Sequence, residues 1–126
     1  MKRSFLICLL IVAVITSCKG PVHEILVEAE GFSDKGGWTV DPQFVEQMGS
    51  PYLLAHGLGI PVKDAITKVT VPSAGRYHVW ARTINWAPGE WEAPGRFHLK
   101  INGEELKTTL GTADGWSWQY AGKISV

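Results

Sequence analysis

The chain has 126 residues, and its twelve basic and twelve acidic side chains cancel at neutral pH. A chain of this length forms one small domain rather than several. Its basic residues form no stripe or run, which excludes the charge pattern of a nucleic-acid-binding protein.

The amino terminus has the pattern of a bacterial lipoprotein signal. Lys2 and Arg3 precede an apolar run at 5–15, which is too short to cross a bilayer and suits a signal-peptide core. The run ends in Ile-Thr-Ser-Cys, which resembles the lipobox in which the cysteine is acylated. We therefore predict that residues 1–18 are a signal peptide and that Cys18 is the lipidation site. A plain secretory signal is the alternative.

Lipidation would hold the mature protein at the membrane by acyl chains alone, with residues 19–24 as a tether. The tether carries no acidic cluster of the kind seen in surface-exported lipoproteins, which favours the periplasmic side of the cell envelope. Cys8 lies inside the signal, so the mature chain keeps no free thiol for a disulfide or a metal. The mature chain carries ten basic and twelve acidic residues, a net charge of −2.

The residues that follow alternate between apolar and polar, which is typical of strands. In chain order, the predicted strands are 25–30, 38–40, 52–56, 66–71, 76–84, 96–101, 104–109 and a last one at 122–126. Residues 44–48 fit either a single helical turn or a bulged strand.

Two turns connect predicted strands. Pro-Ser-Ala-Gly at 72–75 is predicted to join 66–71 and 76–84 into an antiparallel pair. Asn102-Gly103 is the stronger signal, because this dipeptide suits the two left-handed positions of a tight hairpin.

No window keeps a helical apolar period, and strands recur every 8–12 residues or so. The predicted fold is all-β, an antiparallel β-sandwich of jelly-roll type formed by residues 25–126. The last strand ends without a turn or polar tail, so we expect one or two closing strands to lie in a longer protein.

Several runs carry a family resemblance: Glu-Ala-Glu-Gly-Phe at 28–32, Gly-Gly-Trp at 36–38, the stretch at 47–57, Val-Trp-Ala-Arg-Thr at 79–83 and Gly-Arg-Phe at 95–97. They resemble the N-terminal sandwich of Bacteroidetes lipoproteins described as FAD-dependent oxidoreductases or xanthan lyase-like proteins. They are also similar to the golvesin/xanthan-lyase carbohydrate-binding-like domain.

The resemblance implies a non-catalytic, carbohydrate-binding-like accessory module attached to an enzyme. The chain has no Gly-x-Gly-x-x-Gly fingerprint after a strand, so FAD would belong to a downstream domain. No catalytic constellation is predicted here. The expected partners are a polysaccharide or the downstream catalytic domain. The alternative is a structural domain that packs on the flavoprotein body and binds no sugar.

All six tryptophans follow the signal, and two lie in the breaker-rich loop 85–95. Trp86 and Trp91, with Glu90 and Glu92 between and beside them, are predicted to form a surface for sugar or for a neighbouring domain. Local packing of the loop is the alternative. Trp116 is a further candidate for this surface, although the expectation for Trp116 and Trp118 is packing in the core or as a lid.

Two further predictions concern the strands. Trp80, in the middle of 76–84, is expected in the core, with Arg76, His78 and Arg82 on its side of the strand. Glu28 and Glu30 alternate on the predicted first strand and could share a structural Ca²⁺, which needs six to eight oxygen ligands. A solvated strand edge is the alternative.

Overall fold

The computed structural model describes residues 20–57, 59–87 and 94–126. Within these residues, strands dominate the regular structure, and helix is limited to a 3-10 turn at Ala29–Gly31 and one α-helical turn, α1, at Val45–Met48. The fold is all-β, as predicted. The strands are β1 (Trp38–Asp41), β2 (Tyr52–Ala55), β3 (Arg76–Thr83), β4 (Lys100–Ile101), β5 (Glu104–Glu105) and β6 (Ser117–Ser125).

The strands form three antiparallel pairs. β1 pairs with β2 across α1, with Trp38 opposite Ala55. β4 pairs with β5, and the long strands β3 and β6 pair from Arg76 opposite Ser125 to Thr83 opposite Ser117. Of the two interpretations of residues 44–48, the helical turn is the right one, since α1 lies there.

The hairpin predicted at Asn102-Gly103 is confirmed. Asn102 has φ 52° and Gly103 has φ 83°, the pair of left-handed residues that a type I′ turn requires. Regular pairing is shorter than predicted, because residues 107–109 lie opposite a single residue, His98, between the Leu106–Leu99 hydrogen bond and the Phe97–Leu110 bridge. Extra residues on one side break the ladder.

The predicted first strand, 25–30, is wrong. Residues 20–28 have no regular structure, and the chain then turns through Ala29–Gly31, where the amide of Gly31 donates to the Glu28 carbonyl at 3.0 Å. The only ladder contact of this region within the described residues is the bridge between Asp34 and Ile66. Without a continuous partner strand, the backbone satisfies its hydrogen bonds locally.

The predicted pairing of 66–71 with 76–84 is also wrong. Gly75, in the predicted turn, exchanges two backbone hydrogen bonds with Val126 at 2.8 and 3.0 Å. The residue before β3 is therefore paired with the last residue of the sequence and not with 66–71. β3 takes β6 as its partner instead. The expectation that one or two closing strands lie in a longer protein stays a prediction.

The core lies between the inner face of the β3–β6 pair and the β4–β5 hairpin region. Leu106, Leu110 and Ala121 are its buried centre. Packed around them are Val79, Ala81, Phe97, Leu99, Ile101 and Ile124. A bulge at Val79/Trp80 adds one residue, Ala121, to β6. It resets the alternation, so that Lys123 is exposed and Ile124 packs against the core.

Candidate functional site

The outward side of the β3–β6 pair carries most of the exposed aromatic surface among the described strands. We call it the outer face, and its positions are Arg76, His78, Trp80 and Arg82 on β3 and Trp118, Tyr120, Lys123 and Ser125 on β6. In the register, Trp80 is opposite Tyr120 and Arg82 is opposite Trp118. The face is therefore an aromatic centre bordered by cations.

Three large rings on this face remain accessible to solvent. Trp80 is 54% exposed, Trp118 is 56% exposed and Tyr120 is 36% exposed. The expectation that Trp80 lies in the core is wrong. Val79 and Ala81, its smaller neighbours, pack against the core instead, and Trp80 consequently points away from it.

Two of these rings, Trp80 and Tyr120, contact each other. The centroids of Trp80 and Tyr120 lie 4.9 Å apart at an interplanar angle of 53°. His78 Nδ1 lies 3.0 Å from Tyr120 Oη, so a hydrogen bond across the two strands orients the phenol. Contact of this kind reduces the rotamer freedom that a ligand would otherwise have to remove.

Arg82 is anchored at one end of the outer face. Its guanidinium donates to the carbonyl of Met48 at 2.9 Å and to that of Gln47 at 2.7 Å, at the C-terminal end of α1. These bonds satisfy carbonyls that a helix end leaves unpaired. A guanidinium has five N–H donors, and these two bonds use two of them.

A second group of rings, which we call the aromatic cluster, consists of Phe44, Tyr52, Trp86 and Trp116. Phe44 lies 5.1 Å from Trp86 and 6.5 Å from Trp116 between ring centroids, and Tyr52 lies 4.9 Å from Trp116. The structure therefore brings Trp86 and Trp116 together around Phe44. Trp86 is 40% exposed but packs edge-on to Phe44, so it is not a free platform. Trp116 packs, as expected for it, and Trp118 does not.

Tyr52 Oη and Trp116 Nε1 in the aromatic cluster are buried, and neither has a hydrogen-bond partner among the residues that the structure describes. The same holds for Oδ1 of Asn85, the residue before Trp86. Burial raises the pKa of Tyr52, and the Asp41 carboxylate beside it raises that pKa further. Tyr52 is therefore a neutral phenol at physiological pH.

The carboxylates predicted to hold Ca²⁺ do not share a strand. Glu28 precedes the 3-10 turn and Glu30 lies inside it. With three residues per turn, side chains two positions apart point in different directions. Within residues 20–57, 59–87 and 94–126, no group of three or more His, Cys, Asp or Glu side chains could hold a metal ion. A Ca²⁺ site remains a prediction.

Other predicted residues lie outside the described ranges. They are Cys18, Glu90, Trp91 and Glu92. Among the residues that are described, no helix is long and apolar enough to span a bilayer.

Comparisons with protein-family models, with curated proteins and with solved structures each find no match to this chain. The family resemblance stated above is therefore an expectation that these comparisons leave untested.

The sequence predicts only part of the outer face. Alternation correctly groups Arg76, His78 and Arg82 with Trp80. The spacing of Trp118 and Tyr120, two residues apart, was the signal for a matching aromatic row on another strand. Sequence alone did not reveal that the two rows are neighbours, because β3 and β6 are far apart in the chain.

Proposed function

We propose that this chain is a non-catalytic, carbohydrate-binding-like accessory module. Its strands would belong to a β-sandwich of jelly-roll type at the N-terminal end of a larger secreted protein, an FAD-dependent oxidoreductase or a polysaccharide-active lipoprotein. The observation that supports this function is the outer face, where Trp80, Tyr120 and Trp118 are exposed on one strand pair.

Aromatic rings suit sugars for an electrostatic reason. The face of an indole or phenol ring carries partial negative charge, and the C–H groups on one side of a pyranose ring carry partial positive charge. Stacking therefore combines burial of apolar area with electrostatic attraction. An exposed apolar patch rimmed by polar residues is typical of an interaction site.

The outer face also offers groups for sugar hydroxyls. In the register, Arg82 lies opposite Trp118 and Lys123 lies opposite His78, so two residues with N–H donors border the rings. Rings that stack and donors at their border are the two elements that a polysaccharide surface needs. This moves the proposed sugar contact from the loop at 85–95 to the β3–β6 pair.

Removal of one exposed ring tests the proposed function. Trp80→Ala and Trp118→Ala should each weaken retention on a polysaccharide affinity gel about tenfold, which corresponds to about 1.4 kcal/mol. The measurement is affinity electrophoresis of the full chain in mild detergent over a panel of soluble polysaccharides. Because both rings are exposed, the midpoint of unfolding should stay nearly unchanged.

Trp86→Ala is the matched control, since it removes the same side chain from the aromatic cluster. Retention that depends on Trp86 but not on Trp80 or Trp118 would return the sugar site to the loop. No retention of the wild-type chain on any polymer would contradict sugar binding and favour the alternative, a domain that packs on its flavoprotein neighbour.

We also propose that Cys18 anchors the protein in the bacterial cell envelope. Expressed in a diderm bacterium, the wild-type chain should partition into the detergent phase, because acyl chains on the cysteine bury in lipid. Cys18→Ala should leave the protein in the aqueous phase. The readout is phase separation followed by immunoblotting, and equal partitioning of the two proteins would contradict lipidation.

A further inference from the structure

We propose, on the basis of the proposed function, that the outer face selects polysaccharides bearing negative charge, as carboxylate or sulfate groups. Of its eight positions, three are basic residues: Arg76, Arg82 and Lys123. None is a carboxylate. The mature chain has two more acidic than basic residues, so this face opposes the overall balance of the protein.

The register spreads these cations on both sides of the rings. Arg82 stands beside Trp118 at one end, Trp80 and Tyr120 follow, and His78 and Lys123 form the next rung, with Arg76 beyond them. Successive rungs on one face of a strand pair are about 7 Å apart, so the four rungs span about 20 Å. A sugar chain lying along the strands would meet rings at the centre and positive charge at either end.

The cations at the far end are free to meet such a ligand. Among the described residues, neither Arg76 nor Lys123 forms an ion pair with a carboxylate. Glu104 and Glu105 line an open groove beside Lys123. Glu105 is already engaged, because its carboxylate lies 3.6 Å from His98 Nδ1 and 3.9 Å from Lys100 Nζ.

Exposed charges interact with a ligand in a way that salt weakens. At an ionic strength of 0.15 M, charges more than about 8 Å apart are largely screened. An anionic polymer held by Arg76, Arg82 and Lys123 should therefore be released as salt rises. A neutral polymer held by ring stacking alone should stay bound as salt rises.

The test uses two pairs of polymers with matched backbones. Polygalacturonate is compared with its carboxyl-reduced neutral form, and dextran sulfate with dextran, by affinity electrophoresis and isothermal titration calorimetry on the full chain in detergent. The wild-type chain should bind at least one anionic member about tenfold more tightly than its neutral partner. The pair that shows the difference identifies carboxylate or sulfate as the recognised group.

Variants separate this inference from the proposed function. Arg76→Gln combined with Lys123→Gln should weaken binding of the anionic polymer about tenfold and leave binding of the neutral polymer unchanged, so the preference is lost. Lys68→Gln, which removes a positive charge from the groove beside Leu26 and Phe32, is the control and should leave the preference intact. Trp80→Ala should weaken binding of both members of a pair.

The outcomes are distinguishable. Equal, salt-independent binding of charged and neutral polymers that still depends on Trp80 would overturn charge selection and leave the proposed function standing. A preference that survives Arg76→Gln with Lys123→Gln would also overturn it. Binding that ignores Trp80 and Trp118 would contradict the proposed function itself.

Discussion

Leu110→Ala is expected to lower the free energy of unfolding by about 2–5 kcal/mol, because truncation of a buried leucine loses transfer free energy and leaves a cavity. Leu110 is 0% exposed and lies with Leu106 and Ala121 between the two layers that form the core. The measurement is urea-induced unfolding followed by tryptophan fluorescence. Small domains have a total stability of about 5–15 kcal/mol, so this single change could remove a large fraction of it.

The control for Leu110 is Leu26→Ala, the same substitution at a side chain that is 73% exposed. It should change the free energy of unfolding by no more than about 0.5 kcal/mol. Equal destabilisation by the two variants would contradict the core described here, and so would a neutral Leu110→Ala.

Gly36→Ala is expected to destabilise the chain by about 2–5 kcal/mol, the sum of left-handed strain and overpacking. Gly36 has φ 56°, and a Cβ atom there would meet the backbone carbonyl oxygens of Asp64 and Lys63. The adjacent amide of Gly37 donates to the Lys63 carbonyl at 2.9 Å. The substitution would therefore push apart two segments that the backbone holds together.

Two further glycines separate the causes of that loss. Gly103→Ala carries left-handed strain with open space around the new atom, and it should cost only about 1–2 kcal/mol. Gly115→Ala has neither the strain nor the contact and should be nearly neutral. Thermal unfolding by circular dichroism ranks the three variants, and a Gly36→Ala protein as stable as Gly115→Ala would refute the close approach.

Local patterns in the sequence determined several elements of this fold. Asn102-Gly103 makes its hairpin because two adjacent left-handed residues satisfy the turn without any distant partner. Alternation along 76–84 correctly indicated β3, since the period of a strand depends only on its own backbone. The all-β class follows from the same local evidence.

The aromatic site was less predictable. The six tryptophans signalled an exposed apolar surface, but the loop containing Trp86 was predicted to carry it. Phe44, some forty residues earlier in the chain, packs against Trp86 and draws it into a cluster with Trp116. No local pattern reveals such a contact, because it depends on how distant segments approach one another.

Tertiary structure decided which strands pair and which side of each strand meets water. β3 found its partner in β6 rather than in the segment at 66–71, and backbone bonds between Gly75 and Val126 continue that pairing. Alternation places Trp80 on one face of β3 and Val79 and Ala81 on the other, but it does not show which face meets the core. The β4–β5 hairpin packs on the side of the two smaller residues. Because this layer covers only one face of the β3–β6 pair, Trp80, Tyr120 and Trp118 on the other face remain in solvent.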